Sequence, residues 1–330
     1  MRSPFRRADE TSDDVPDALK GTVTLDFGGA SGIGGREENQ DRFLIVPDLL
    51  VLSDGMGGHV GGALAAELTV GSVVEAWQEH VAAHPDDPTP DTDLLAAFVL
   101  AANDAVRAGR LTEERLEHMG ATLVITAVVA PTDDGWELLV GTLGDSPAFV
   151  VRDANIWPVT HQHNLPGELV AAGVISEEEA AVHPQRNVVT RAVGIATTVE
   201  PDIVEVRVAV GEALIATSDG ITDVLDGERI AQLFDEVVAA GGTAEDVAHR
   251  LVDEATAAGA TDNVTATVLL PVRSANDATN DAAGDAAGDG DRGAPVARDL
   301  PAADGPADAQ ESDVDVEDSL DWLLDEFNDD

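Results

Sequence analysis

The chain contains no cysteine. That absence excludes disulfides, thiolate metal sites and every mechanism with a sulfur nucleophile, including cysteine-dependent phosphate-ester hydrolysis. Lysine is nearly absent too: Lys20 is the only one, and the remaining bases are arginines. With 18 bases against 64 acids, the formal net charge is −46. Such a chain is poorly suited to phosphate backbones or anionic membrane faces, so neither nucleic acid nor membrane is an expected partner. No apolar run is long enough to span a bilayer. Residues 1–20 mix arginines, acids and prolines without the apolar stretch of a secretory leader. The expected location is the cytoplasm. Chemistry is thereby confined to carboxylates, histidines, hydroxyls and bound metals.

What is present points to one large folded region with tails. Hydrophobic residues make up 44% of 330 positions, enough for a sizeable core. Residues 1–20 are expected to be disordered and residues 21–272 to fold. Residues 273–330, rich in Ala, Asp, Gly and Pro, read as an acidic disordered tail. Near residues 319–327 the apolar positions Leu320, Trp322, Leu323, Leu324 and Phe327 fit a short amphipathic helix for a partner protein. Within the folded region, period-2 runs at 22–27, 43–46, 49–53, 121–130, 136–143, 149–152, 156–159, 203–208, 213–217 and 263–272 read as strands. Residues 62–81, 94–110, 228–239 and 243–258 read as helices, residues 28–35 as a glycine-rich turn, and residues 161–196 as irregular. Hairpins outnumber crossovers, so the expected class is α+β, with mostly antiparallel sheets and helices outside.

Aspartates recur where these strands end. Asp54 follows Leu49-Leu50-Val51-Leu52-Ser53, Asp145 follows the 136–143 strand and Asp219 follows 213–217. Asp262 precedes the last strand, and Asp41 closes Arg36-Glu37-Glu38-Asn39-Gln40-Asp41. One Asp-Gly pair alone is an ordinary turn signal. Several carboxylates brought together from strand ends would repel one another, and a hard divalent cation removes that cost. Oxygen-only ligands suit Mg²⁺ or Mn²⁺, and a pair of such ions can share a water and clamp a phosphoryl group for in-line attack.

Together with Met119-Gly120-Ala121-Thr122 and Arg191-Ala192-Val193-Gly194, these motifs resemble those of the metal-dependent (PPM, type 2C) protein serine/threonine phosphatases in their bacterial form. The similarity runs from Thr22 to Val272. It implies a four-layer α-β-β-α sandwich of two antiparallel sheets flanked by helix pairs. By the same resemblance Asp54 bridges two metal ions, the Gly55 carbonyl completes one coordination sphere, and Asp219 and Asp262 hold the second ion. Asp41 acts on the first-metal side through waters, and Asp145 with Asp219 takes a weaker third ion. Arg36 binds the substrate phosphate and, with Asp54, is the catalytic assignment. The implied cofactor is Mn²⁺ or Mg²⁺, and the implied partners are phosphoproteins made by a serine/threonine kinase. The alternative is a catalytically weak scaffold on the same fold.

The sequence departs from the wider family at Gln40, where Glu is common, at Met56, where animal members carry a histidine, and at Gln162-His163, where Asp-His is common. His59 reads as structural, and His161, His163 and His183 as loop residues. Trp77, Trp136 and Trp157 read as core or half-buried. Ser53 and Ser218 lack a nearby histidine, which argues against a serine nucleophile. The glycine-rich stretch 55–62 matches neither a dinucleotide nor a P-loop pattern.

Overall fold

The computed structural model describes residues 23–176, 179–180, 182–273 and 298–299. The expectations for residues 1–20 and for the helix near 319–327 lie outside the described residues.

The chain opens with β1 (Val23–Gly32) and a hairpin of β2 (Arg42–Val46) and β3 (Leu49–Ser53). A short β4 (Gly55–Met56) leads into α1 (Gly58–Ala83) and α2 (Thr92–Arg110). After a 3₁₀ turn at Glu114–Leu116 come β5 (Gly120–Ala121), the hairpin β6 (Leu123–Pro131) and β7 (Gly135–Leu143), then the hairpin β8 (Ala148–Arg152) and β9 (Asn155–Pro158). A largely irregular stretch containing α3 (Leu165–Ala171) precedes β10 (Asp202–Ala209), β11 (Ala213–Thr217) and the single turn α4 (Asp219–Thr222). The helices α5 (Gly227–Ala239) and α6 (Ala244–Ala257) and the strand β12 (Val264–Arg273) complete the domain.

Two large antiparallel sheets result, ordered β1-β12-β11-β8-β9 and β10-β7-β6-β3-β2, and β4 pairs with β5 in a small third one. A two-residue strand, β13 (Arg298–Asp299), pairs with the outer edge of β10, inside a stretch expected to carry no regular structure. Alternation explains the layering. On β10, Val204, Val206 and Val208 are buried while Glu205 and Arg207 are exposed. Those valines join Leu50, Val140, Val150 and Leu214 in a core between the sheets. The central strand β7 is buried on both faces. Leu138 and Val140 enter the inter-sheet core, and Leu139 and Leu143 pack against α1 and α2 with Val73, Phe98 and Val106. A third cluster, including Ile215, Phe234, Leu251 and Val268, joins the other sheet to α5 and α6. The layers are therefore helix pair, sheet, sheet, helix pair, as expected.

The starts of α2, α5 and α6 are set by side-chain caps, each contributing about 1 kcal/mol. Asp91 accepts from Leu94 N at 2.8 Å ahead of α2, and Asp226 accepts from Arg229 N at 2.8 Å ahead of α5. Thr243 and Asp246 form a reciprocal capping box for α6. The glycine-rich turn expected over 28–35 is a correction: β1 runs on to Gly32, and the turn begins only at Gly34. Close packing is the reason. A Cβ on Gly28 would stand 2.1 Å from Glu245 N, so only glycine lets α6 lie on this strand. Asp26 Oδ2 fastens the contact by accepting from Ala244 N at 2.8 Å.

Candidate metal centre

One end of the sandwich collects the five aspartates. Asp54 leaves β3, Asp145 stands two residues beyond β7, Asp219 opens α4 after β11, Asp262 lies two residues before β12, and Asp41 immediately precedes β2. Glycines bring these corners together. A Cβ on Gly220 would meet Asn263 O at 2.0 Å, which holds Asp219 against the Asp262 corner. A Cβ on Gly55 would meet Gly62 O at 2.0 Å and Gln40 O at 2.9 Å, so β4 is pressed between α1 and the Asp41 loop.

Electrostatics record the convergence. Burial, then repulsion from Asp41, Asp219, Asp145 and Asp262, holds the Asp54 carboxyl well above the usual carboxylate range. Burial first, with Asp145, Asp262, Asp223 and Asp41, pushes Asp219 up to about 8. Asp145 is pushed up to about 6, chiefly by burial, and the Asn164 amide opposes the shift. Asp41 is raised by burial, against hydrogen bonds from Thr265 and Ser218.

Asp41 is oriented by a directed chain of hydrogen bonds. Thr265 Oγ1 donates to Asp41 Oδ2 at 2.6 Å, and Ser218 Oγ donates to the same oxygen at 2.7 Å. Thr265 Oγ1 in turn takes the Ser31 hydroxyl at 2.7 Å, and Ser31 accepts from Asn39 Nδ2 at 2.8 Å. Asn39 Oδ1 closes the ring by accepting from Asp41 N at 3.0 Å. One carboxylate oxygen is thus saturated, while Asp41 Oδ1 is buried and meets no protein donor. Asp219 Oδ1 is in the same condition. Buried orphan carboxylate oxygens are costly unless a cation or water meets them, so these residues fit a divalent ion. Among the described residues no three acidic or histidine side chains form a preassembled cation cage. Mg²⁺-type sites that keep several waters and use one or two carboxylates do not require one.

Arg36 reaches the same edge. Its Nε donates to Asp262 Oδ1 at 2.9 Å and its Nη2 to Asp262 Oδ2 at 2.7 Å. Asp262, then Asp54 and Asp219, hold the guanidinium above its ordinary pKa, against partial burial. The side chain remains 61% exposed, so the pair sits at the rim of the centre.

Several positioning residues escaped the sequence reading. Asn263 Oδ1 accepts from Gln40 N at 2.9 Å, and its Nδ2 donates to Ile33 O and Glu38 O at 2.9 Å each. Asn263 therefore ties the Arg36–Asp41 loop to the start of β12. Thr122 Oγ1 accepts from Asp54 N at 2.9 Å and bonds the Ser146 hydroxyl at 2.7 Å, linking the Asp54 and Asp145 corners. Thr122 belongs to the Gly120-Ala121-Thr122 motif, the only sequence signal that marked it.

His163 stands in a loop, as expected, but its burial and its bonds were not visible in the sequence. It is fully buried, its Nδ1 accepts from Gly144 N at 3.1 Å, and its backbone N–H donates to Gly144 O at 3.0 Å. The proton is thereby placed on Nε2, which donates to Asp202 Oδ2 at 3.0 Å. Arg191 Nη1 donates to Asp202 Oδ1 at 2.9 Å. His163 and Arg191 together hold Asp202 well below its ordinary value despite partial burial. His161 is exposed and His183 half-buried, and Trp77 is buried while Trp136 and Trp157 are half-buried, as expected of the tryptophans. His59 lies on α1, and its side chain is outside the described residues. Ser218 donates to the Asp41 carboxylate, and Ser53 Oγ donates to Thr122 O at 2.7 Å, so neither hydroxyl is directed at a histidine.

The family model for protein phosphatase 2C matches residues 28–254, which includes four of the five converging aspartates, Asp262 lying beyond it. The serine/threonine phosphatase stp of Listeria innocua is 30% identical over 241 residues, covering 73% of this chain and 89% of that protein. The serine/threonine protein phosphatase PstP of Mycobacterium tuberculosis is 35% identical over 236 residues, covering 71% of this chain but 42% of PstP. A solved structure of the PstP catalytic domain in complex with two manganese ions is 30% identical, with a TM-score of 0.63, and the match covers 76% of this chain and 100% of that one. Sequence and fold agree along the same stretch that carries the carboxylates, and the chain belongs to the protein phosphatase 2C family.

Proposed function

We propose that the chain hydrolyses phosphoserine and phosphothreonine on proteins, using water as the nucleophile and a pair of Mn²⁺ or Mg²⁺ ions as cofactor. The observation that carries this reading is the set of five converging aspartates, two of them with a buried oxygen that no protein donor meets. Asp54, the Gly55 carbonyl, Asp219 and Asp262 would hold the pair, Asp41 would act through water, and Asp145 with Asp219 would take a weaker third ion. When bound, such ions supply positive charge to the phosphoryl oxygens and lower the pKa of water at the site.

The chain's own residues do the rest. Arg36 would offer its planar fork to two phosphate oxygens, exchanging Asp262 for the substrate. Thr265 and Ser218 fix the Asp41 carboxylate, and Thr122 fixes the Asp54 backbone, so charge is preorganised before substrate arrives. No sulfur nucleophile exists, and the buried serines of the centre are committed elsewhere. Water therefore attacks phosphorus, the bond to the serine or threonine oxygen breaks, and that oxygen takes its proton from water. His163 has both ring nitrogens engaged, and Met56 occupies the position after Gly55, so neither acts as the acid.

The same reading extends to physiology. The substrates would be products of a serine/threonine kinase, in cytoplasmic signalling, with residues 21–272 as the catalytic domain and the acidic residues 273–330 as a partner-binding tail. No described helix is long and apolar enough to cross a membrane. The test is phosphate release from phosphoserine and phosphothreonine peptides by wild type and Asp54→Asn with Mn²⁺. Loss of turnover in the variant is expected, and full retention would remove Asp54 from the mechanism.

A further inference from the structure

Beside the centre, on the α3 side, lies a cavity of about 550 Å³, within the range that holds a large side chain or small ligand. Asp145 and Asp219 form one wall, so the cavity borders the edge of the carboxylate centre where the weaker third ion is assigned. Phe149, Ile156, Pro158, Val159, Pro166 and Val170 give the remaining lining an apolar part, beside a polar part that includes His161, Gln162, Asn164 and Asn187. Next to Asp219, Arg186 Nη2 donates to Asp223 Oδ2 at 3.2 Å, so the one arginine on the wall is already paired.

Resting on the phosphatase reading, we infer that this cavity selects substrates by taking a bulky apolar side chain adjacent to the phosphorylated serine or threonine. Continuity with the centre places a neighbour of the phosphoresidue there. The apolar part of the lining gives leucine- or phenylalanine-sized groups the contacts that a smaller side chain lacks, and a pocket of this kind discriminates by size at about tenfold or more. An acidic neighbour is disfavoured, since it would lose hydration against the apolar part of the lining and meet the negative charge of the whole chain.

The experiment uses the full chain with Mn²⁺, free phosphothreonine, and phosphothreonine peptides carrying Ala, Leu, Phe or Asp at each position flanking the phosphoresidue. The wild type should favour Leu or Phe over Ala at one flank by about tenfold or more in kcat/KM. Aspartate there should fall below Ala. Val170→Asp and Val159→Asp, on two different walls, should each bring the Leu-to-Ala ratio towards one. A ratio near one in the wild type, or a ratio preserved in both variants, would overturn the inference. Turnover of free phosphothreonine without any flank preference would reject the cavity assignment alone. No turnover of any substrate would reject the phosphatase reading together with it.

Discussion

Arg36 and Asp262 are joined by two parallel hydrogen bonds, Nε to Oδ1 at 2.9 Å and Nη2 to Oδ2 at 2.7 Å. The same two residues carry opposite assignments, one to substrate phosphate and the other to a cation. In the structure each occupies the other's binding edge. Arg36→Ala should raise KM for a phosphothreonine peptide about tenfold to a hundredfold, the range for losing a charge-assisted pair. Arg36→Lys keeps the charge but not the fork, and should recover only part of the loss. Steady-state kinetics on both variants checks this. An unchanged KM in Arg36→Ala would leave the pair with Asp262 as the arginine's whole role.

The metal-free protein should lose stability as pH rises. Asp219 is pushed from 3.8 up to about 8 and Asp145 from 3.8 up to about 6, so the folded state holds these protons more tightly than the unfolded chain. The stability they contribute is full below 3.8 and is lost as pH climbs through about 6 and about 8. Melting temperatures in chelator should therefore fall between pH 5 and pH 8, and Asp219→Asn, which cannot ionise, should flatten the fall. Added Mn²⁺ should raise the melting temperature most at the alkaline end, because a cation binds the ionised carboxylates. A chelated wild type and Asp219→Asn with parallel pH profiles would contradict the assignment.

Replacing His163 with leucine should cost roughly 2–4 kcal/mol. The substitution leaves Gly144 N–H without its acceptor and removes the donor to Asp202. Chemical denaturation measures the loss. Because His163 braces the corner that precedes Asp145, the Mn²⁺ concentration needed for activity should also rise.

Thr265→Val keeps the side-chain shape and deletes the 2.6 Å bond to Asp41 Oδ2. Ser218 still holds that oxygen, so the stability loss should stay near 1–3 kcal/mol. A larger share of the effect should fall on kcat, since the Asp41 carboxylate loses one of its two anchors.

The architecture was legible because the core-facing positions obey simple periods. β10 alternates cleanly, and α5 and α6 begin at recognisable Asp and Thr caps. The aspartates were legible because each stands next to a strand end. What stayed hidden depends on distant pairing. Thr265 meets Asp41 across 224 residues, and His163 meets Asp202 across 39, with no local pattern to mark either. Gly28 misled for a related reason. Glycine in sequence signals a turn, and only the packed α6 reveals that it serves close approach in a strand. The cavity beside Asp145 joins β8, β9 and α3, a meeting that no single segment announces.

The central claim is a metal-dependent phosphatase built on these carboxylates, and the most direct measurement is phosphate release from a phosphothreonine peptide across a Mn²⁺ titration, by wild type and Asp219→Ala. The wild type should be silent in chelator and gain activity with Mn²⁺, and Asp219→Ala should fall by about a hundredfold or more, as expected when several kcal/mol of charge stabilisation is removed. A folded wild type that stays inactive at every Mn²⁺ and Mg²⁺ concentration, or an Asp219→Ala variant as fast as the wild type, would contradict the account.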